Sequence, residues 1–122
     1  MTNKQIDKIC KDYSIDYYTI NLDGSIDVKE CVYLFGRGLK TLLLKFNKVK
    51  GYFDCSHNQL KTLEWAPKQV EGSFDCYRNQ LKTLKMLLEL DCKFDDSLIS
   101  DFGNFSYDQF RTLKNIRKLW KH

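Results

Sequence analysis

No stretch of the chain approaches the roughly 18 consecutive apolar residues that a membrane-spanning helix needs; runs such as Leu42-Leu43-Leu44 are only fragments of a strand or loop. No membrane partner is therefore expected. The opening residues, Met1-Thr2-Asn3-Lys4-Gln5, lack the charged-then-apolar layout of a secretory signal, which makes the cytoplasm the expected compartment. Cysteines number five (Cys10, Cys31, Cys55, Cys76 and Cys92), an odd count without such a signal, and this favours reduced thiols over a disulfide framework. Zinc-finger spacings, RNA-recognition strings and Gly-rich phosphate loops are all missing, so the common signatures of nucleic-acid and nucleotide binding are excluded.

What is present fits one folded domain of 122 residues. The 43% hydrophobic and 30% charged fractions suffice for a core and a soluble surface, which excludes disorder throughout. The net charge of +4 is unevenly placed. From Ser106 onward there are five basic residues (Arg111, Lys114, Arg117, Lys118 and Lys121) against the single acid Asp108, while the first 105 residues balance 15 against 15. Such a tail either tracks a phosphate backbone or is the solvated face of a helix.

An internal repeat organises the chain. Gly51-Tyr-Phe-Asp-Cys-Ser-His-Asn-Gln-Leu-Lys-Thr-Leu63 returns 21 residues later as Gly72-Ser-Phe-Asp-Cys-Tyr-Arg-Asn-Gln-Leu-Lys-Thr-Leu84. One step earlier, Val32, Leu34, Leu39, Lys40, Thr41 and Leu42 fall in the same phase, and Val49 matches Val70. Phe53 and Cys55, two apart, share the inner face of an extended strand; Asn58 satisfies backbone groups at a bend, and Leu60 and Leu63 return inward. Stacked units would place these strands side by side in a parallel sheet. A degraded fourth unit is expected with Cys92, Phe94, Ser97 and Ile99 on the positions of Phe53, Cys55, Asn58 and Leu60. The other register, Phe94-Asp95 on Phe74-Asp75, would put Asp96 in the core.

The spacing is the leucine-rich-repeat pattern L-x-L-x-x-N-x-L-x-x-L within its 20–29 residue period. Its particular string, G-x-F-D-C-x-x-N-Q-L-x-T-L followed by Glu64-Trp65-Ala66-Pro67-Lys68-Gln69-Val70, resembles a group of short leucine-rich-repeat proteins of tailed bacteriophages and bacteria. Residues 18–28 look like the segment that leads into those repeats. The resemblance covers roughly Cys10 to Leu84 and implies a solenoid with a binding role and no catalytic residues. Arg37 in place of the turn asparagine, the small number of units and the tail from Asp101 depart from the pattern.

Both ends read as caps. Thr2-x-x-Gln5 is a capping-box spacing, and Ile6, Ile9, Cys10 and Tyr13 mark a helix over residues 3–13. Residues 17–21 and 25–29 flank Asp23-Gly24, a tight hairpin turn. Ser106-x-x-Gln109 opens a second helix, whose apolar stripe is Phe110, Leu113, Ile116 or Arg117, and Trp120. The expected fold is thus α/β: a short leucine-rich-repeat solenoid of 3–4 units, with a helix-and-hairpin cap (residues 1–29), repeats (30–100) and a C-terminal helical cap (101–122).

Cys55-x-His57, with Cys76 and Cys31 nearby, has the residue types of a zinc site. The repeat phase turns Cys55 and Cys76 into the core and His57 away from them, so neither metal, cofactor nor thiol catalysis is expected. The outward positions Tyr33, Phe35, Tyr52, Asp54, Ser56, Ser73, Asp75 and Tyr77, continued by Lys93 and Asp95, form the expected surface for a protein partner. Nucleic-acid binding through Arg111, Lys114, Arg117, Lys118 and Lys121 is the alternative.

Overall fold

The computed structural model describes residues 1–120; Lys121 and His122 lie outside it, as does the side chain of Trp120. Helix α1 (Asn3–Asp12) begins at the expected capping box: the Thr2 hydroxyl accepts the Gln5 N–H, and the Gln5 amide accepts the Thr2 N–H. Its buried face is Ile6 and Cys10. Strands β1 (Tyr18–Ile20) and β2 (Ile26–Val28) then form the predicted antiparallel hairpin, with Gly24 at φ +83° in the turn.

The body is a solenoid of about four turns. Each turn contributes a strand to two parallel sheets, where one sheet was expected. The first sheet runs β1, β2, β4 (Phe46–Val49), β6 (Gln69–Val70) and β8 (Lys93–Phe94). The second holds β3 (Val32–Tyr33), β5 (Phe53–Asp54), β7 (Phe74–Asp75) and β9 (Ser97–Ser100), closed by the antiparallel β10 (Gly103–Ser106). The matching of Val49 to Val70 is the register of the first sheet, and Val28 precedes them, so β2 belongs to the first coil as well as to the cap. Strands of two to four residues between corners are too short to show alternation in the sequence, which is why this sheet was not foreseen.

In the second sheet Val32, Phe53, Phe74 and Leu98 are paired neighbours, all fully buried, and the Phe53 and Phe74 rings are 5.1 Å apart. Phe46 of the first sheet meets Phe53 at 4.9 Å, joining the two sheets across the core. The fourth coil follows neither expected register. Phe94 pairs with Val70 in the first sheet and Leu98 with Phe74 in the second, a step of 24 residues. Helix α2 (Leu84–Leu88), capped by Thr83 and burying Leu87 and Leu88, takes up the longer arc. Lys93 and Asp95 consequently leave the expected binding face, and Ile99 and Asp101 stand in the positions assigned to them.

Between coils the turn asparagines carry the polar balance. Asn58 is buried; its Oδ1 accepts the N–H groups of Arg37 and Leu39, and its Nδ2 donates to the carbonyls of Leu34, Cys55 and Ser56. Asn79 repeats this with Leu60, Cys55 and Cys76. Each amide thus satisfies the bend of its own coil and the one before. The bend of the third coil is capped from the fourth by Asp101, which accepts the N–H groups of Arg78 and Asn79. Arg37 cannot accept such bonds and instead lies 5.0 Å over the Tyr13 ring, tying α1 to the first coil.

Helix α3 (Tyr107–Trp120) starts at the predicted capping box of Ser106 and Gln109. Phe110 is buried 5.7 Å from Phe94, and Arg117, not Ile116, turns inward, reaching Glu89 at 3.9 Å. Replacing Asn58 with Ala strands backbone groups of two coils and is expected to cost roughly 2–4 kcal/mol in urea unfolding, against about 1–2 kcal/mol for Asn79→Ala, which makes fewer bonds. Equal losses would contradict the bridging role.

Candidate functional site: the outer face of the second sheet

In-register stacking turns the outward positions into rows that cross the strands. Tyr33, Asp54, Asp75 and Ile99 are paired neighbours and form the middle row. On one side of it stand Cys31, Tyr52, Ser73 and Ser97; on the other, Phe35, Ser56, Tyr77 and Asp101. Tyr33 is 56% exposed, Phe35 62%, Tyr52 49% and Tyr77 38%, so four large aromatic side chains lie on this face outside the core. Ser56 differs from the others: it is buried, with its hydroxyl donating to Asp54 Oδ1 at 2.6 Å, and it offers little contact surface.

His57 was not among the expected contact residues, yet it completes the aromatic row. It sits at φ +56°, the left-handed position that Gly36 and Arg78 occupy in the neighbouring coils. This conformation brings its ring edge-on between Phe35 at 6.4 Å and Tyr77 at 6.1 Å, and Arg78 lies 5.5 Å from the Tyr77 ring. Its place three residues past the end of β5 hides it from any period-two count.

Tyr52 is set by a glycine. A Cβ on Gly72 would stand 3.0 Å from the Tyr52 ring and 3.1 Å from the Gly51 backbone, so the absent side chain lets that ring settle against the next coil. Gly51 does the same for Cys31, whose sulfur would be 2.5 Å from a Cβ there. The Gly-x-Phe-Asp-Cys string thus serves packing between coils as well as the corner between the sheets.

The carboxylates are half committed. Asp54 Oδ1 accepts the Ser56 N–H and Asp75 Oδ1 the Tyr77 N–H; among the described residues neither Oδ2 accepts a hydrogen bond and neither group has an ion pair. With adjacent strands about 4.8 Å apart, two like charges stand one sheet spacing from each other. Burial is the main cause that pushes Asp75 above the usual carboxylate range; the Asp54 and Asp101 charges add to it, while the Tyr77 N–H and His57 oppose it. Between Tyr33 and Tyr52 on one side and Ile99 on the other runs a trough of about 320 Å³, with Asp54 and Asp75 in its lining. A larger groove of about 440 Å³ lies between the arc at Trp65 and α2, but its lining is of mixed charge, with Lys45 and Lys68 beside Glu64, Glu89 and Asp91.

Cys55, Cys76 and Cys92 are buried, and burial raises their thiols, the latter two to about 12, so at neutral pH they are protonated and poor nucleophiles. No group of three or more His, Cys, Asp or Glu side chains among the described residues could hold a metal ion. No described helix is long and apolar enough to cross a membrane. On α3, Lys114 donates to the Leu90 carbonyl at 2.6 Å, Arg117 approaches Glu89, and Arg111 lies 3.7 Å from Asp108 and over the Tyr107 ring; Lys118 is exposed, and Lys121 lies outside the described residues. No family model, no curated protein and no solved structure matches the chain.

A carboxyl raised on folding binds its proton more tightly in the native state, so this term of stability is lost as pH rises through the Asp75 titration and regained as pH falls. Asp75→Asn keeps an oxygen for the Tyr77 N–H and removes the charge. It is expected to raise Tm at pH 7 by a few °C, with the gain shrinking as both proteins are taken below the carboxylate range. Thermal unfolding across pH 4–8 reads this; a gain independent of pH would refute it.

Proposed function

We propose that this chain is a binding module of the leucine-rich-repeat type that contacts a protein partner through Tyr33, Phe35, Tyr52, Asp54, Asp75 and Tyr77 on the outer face of the second sheet. The observation that carries the reading is the gathering of four exposed aromatic side chains on one sheet whose core is filled from the other side. Tyrosine and phenylalanine held by a rigid sheet lose little freedom on binding and bury large areas, the properties of interface anchors. The repeat string's resemblance to phage and bacterial proteins points to a host protein as the target, with inhibition or adaptation as the outcome. Catalysis has no support in the buried, protonated thiols. Nucleic-acid binding through α3 is the weaker reading, because Lys114, Arg117 and Arg111 already have partners within the fold.

Tyr52→Ala combined with Tyr77→Ala should abolish capture of a specific host protein from lysate while leaving the far-UV spectrum unchanged, and Arg111→Ala with Lys118→Ala should not affect capture. The opposite pattern would reject the sheet face.

A further inference from the structure

The trough on this face has a chemistry of its own. Two tyrosines wall it on one side, Ile99 closes the other, and Asp54 and Asp75 in adjacent register each leave one carboxylate oxygen without a hydrogen bond among the described residues. No lysine or arginine among the described residues lines it. Neighbouring carboxylates without a counter-ion, one of them partly desolvated, are a local cost that a bound cation would relieve. The aromatic faces of Tyr33 and Tyr52 favour the same occupant. Phosphate is disfavoured by the same two charges, which separates this site from nucleic acid.

Resting on the protein-binding reading above, we propose that the trough between Tyr33, Tyr52 and Ile99 receives a cationic side chain of the partner, its guanidinium or ammonium group meeting the free oxygens of Asp54 and Asp75. The spacing of one sheet repeat between the carboxylates suits a single cation shared by both, and a planar guanidinium can meet both oxygens while stacking on tyrosine. Gly72 is then a positioning residue, since it seats the Tyr52 ring that forms the wall.

The test uses the full chain and two capped pentapeptides, Ser-Val-Arg-Val-Ser and its citrulline counterpart, which is nearly isosteric but uncharged. In amide NMR titrations at low salt, the arginine peptide should shift residues around Tyr33, Asp54, Asp75 and Ile99 and bind at least about tenfold more tightly than the citrulline peptide. The Asp54→Asn/Asp75→Asn variant, which retains the oxygens that accept the Ser56 and Tyr77 N–H groups, should erase that difference while its unfolding curve stays cooperative. Equal binding of the two peptides, or arginine-dependent shifts centred on Asp95 and Asp96, would overturn the proposal. So would wild-type preference in the double variant. If the peptides fail but host-protein capture still depends on Tyr52 and Tyr77, the cation site is wrong and the interaction face stands; if capture is also insensitive to those tyrosines, both fall.

Discussion

Five hydrogen bonds converge on the buried side chain of Asn58, and they reach three kinds of backbone group: the end of the preceding coil's strand, the start of its return arc, and the bend of its own coil. A solenoid coil must turn sharply within a dry interior, where each unpaired N–H or C=O would cost of the order of 1–3 kcal/mol. The asparagine amide removes that cost because it offers donor and acceptor on one short, flat group. It also links successive coils, so the register at which one coil stacks on the next is set by polar pairing as well as by apolar contact. Asn79 continues the series, and Asp101 of the fourth coil ends it with an acceptor-only group that takes the N–H groups of Arg78 and Asn79.

From that register follow both the core and the outer face. Phe53 and Phe74 become neighbours inside for the same reason that Asp54 and Asp75 become neighbours outside. The inner consequence is favourable, since stacked rings exclude water. The outer one is not, since two carboxylates share one sheet spacing with no counter-ion among the described residues. A repeat therefore amplifies whatever its outward positions carry: aromatic residues become a continuous patch and acids become a like-charged row. In this molecule the two coincide around a single trough, and that coincidence distinguishes the face from the mixed-charge groove at Trp65.

Much of the architecture was legible because repetition is visible in a single chain. The 21-residue offset, the inward placing of Phe53, Cys55, Leu60 and Leu63, both capping boxes and the Asp23-Gly24 hairpin all appear in the structure as read. The last coil was misread for an identifiable reason. Cys92 and Phe94 keep the alternation of Phe74 and Cys76, but the arc before them contains α2, and the extra length delivers Phe94 to the first sheet. Residue type alone does not tell which of two corners a phenylalanine occupies. Ser56 was counted as contact surface by alternation, yet its hydroxyl folds back onto Asp54 between the larger side chains. His57 was overlooked because a left-handed residue after the strand changes the direction of its side chain.

By itself the amino-acid order determined that identical coils would stack, which residues fill their interior, and where the chain is capped, because these depend on local period and on the chemistry of short motifs. Only the tertiary structure decided that each coil makes two strands, that the fourth coil is three residues longer, and that two tyrosines, two carboxylates and an isoleucine from four coils enclose one trough. The physical reason is that hydrogen-bond register between strands far apart in the chain sets which side chains meet. That register depends on the length of every intervening arc, which no single motif reports.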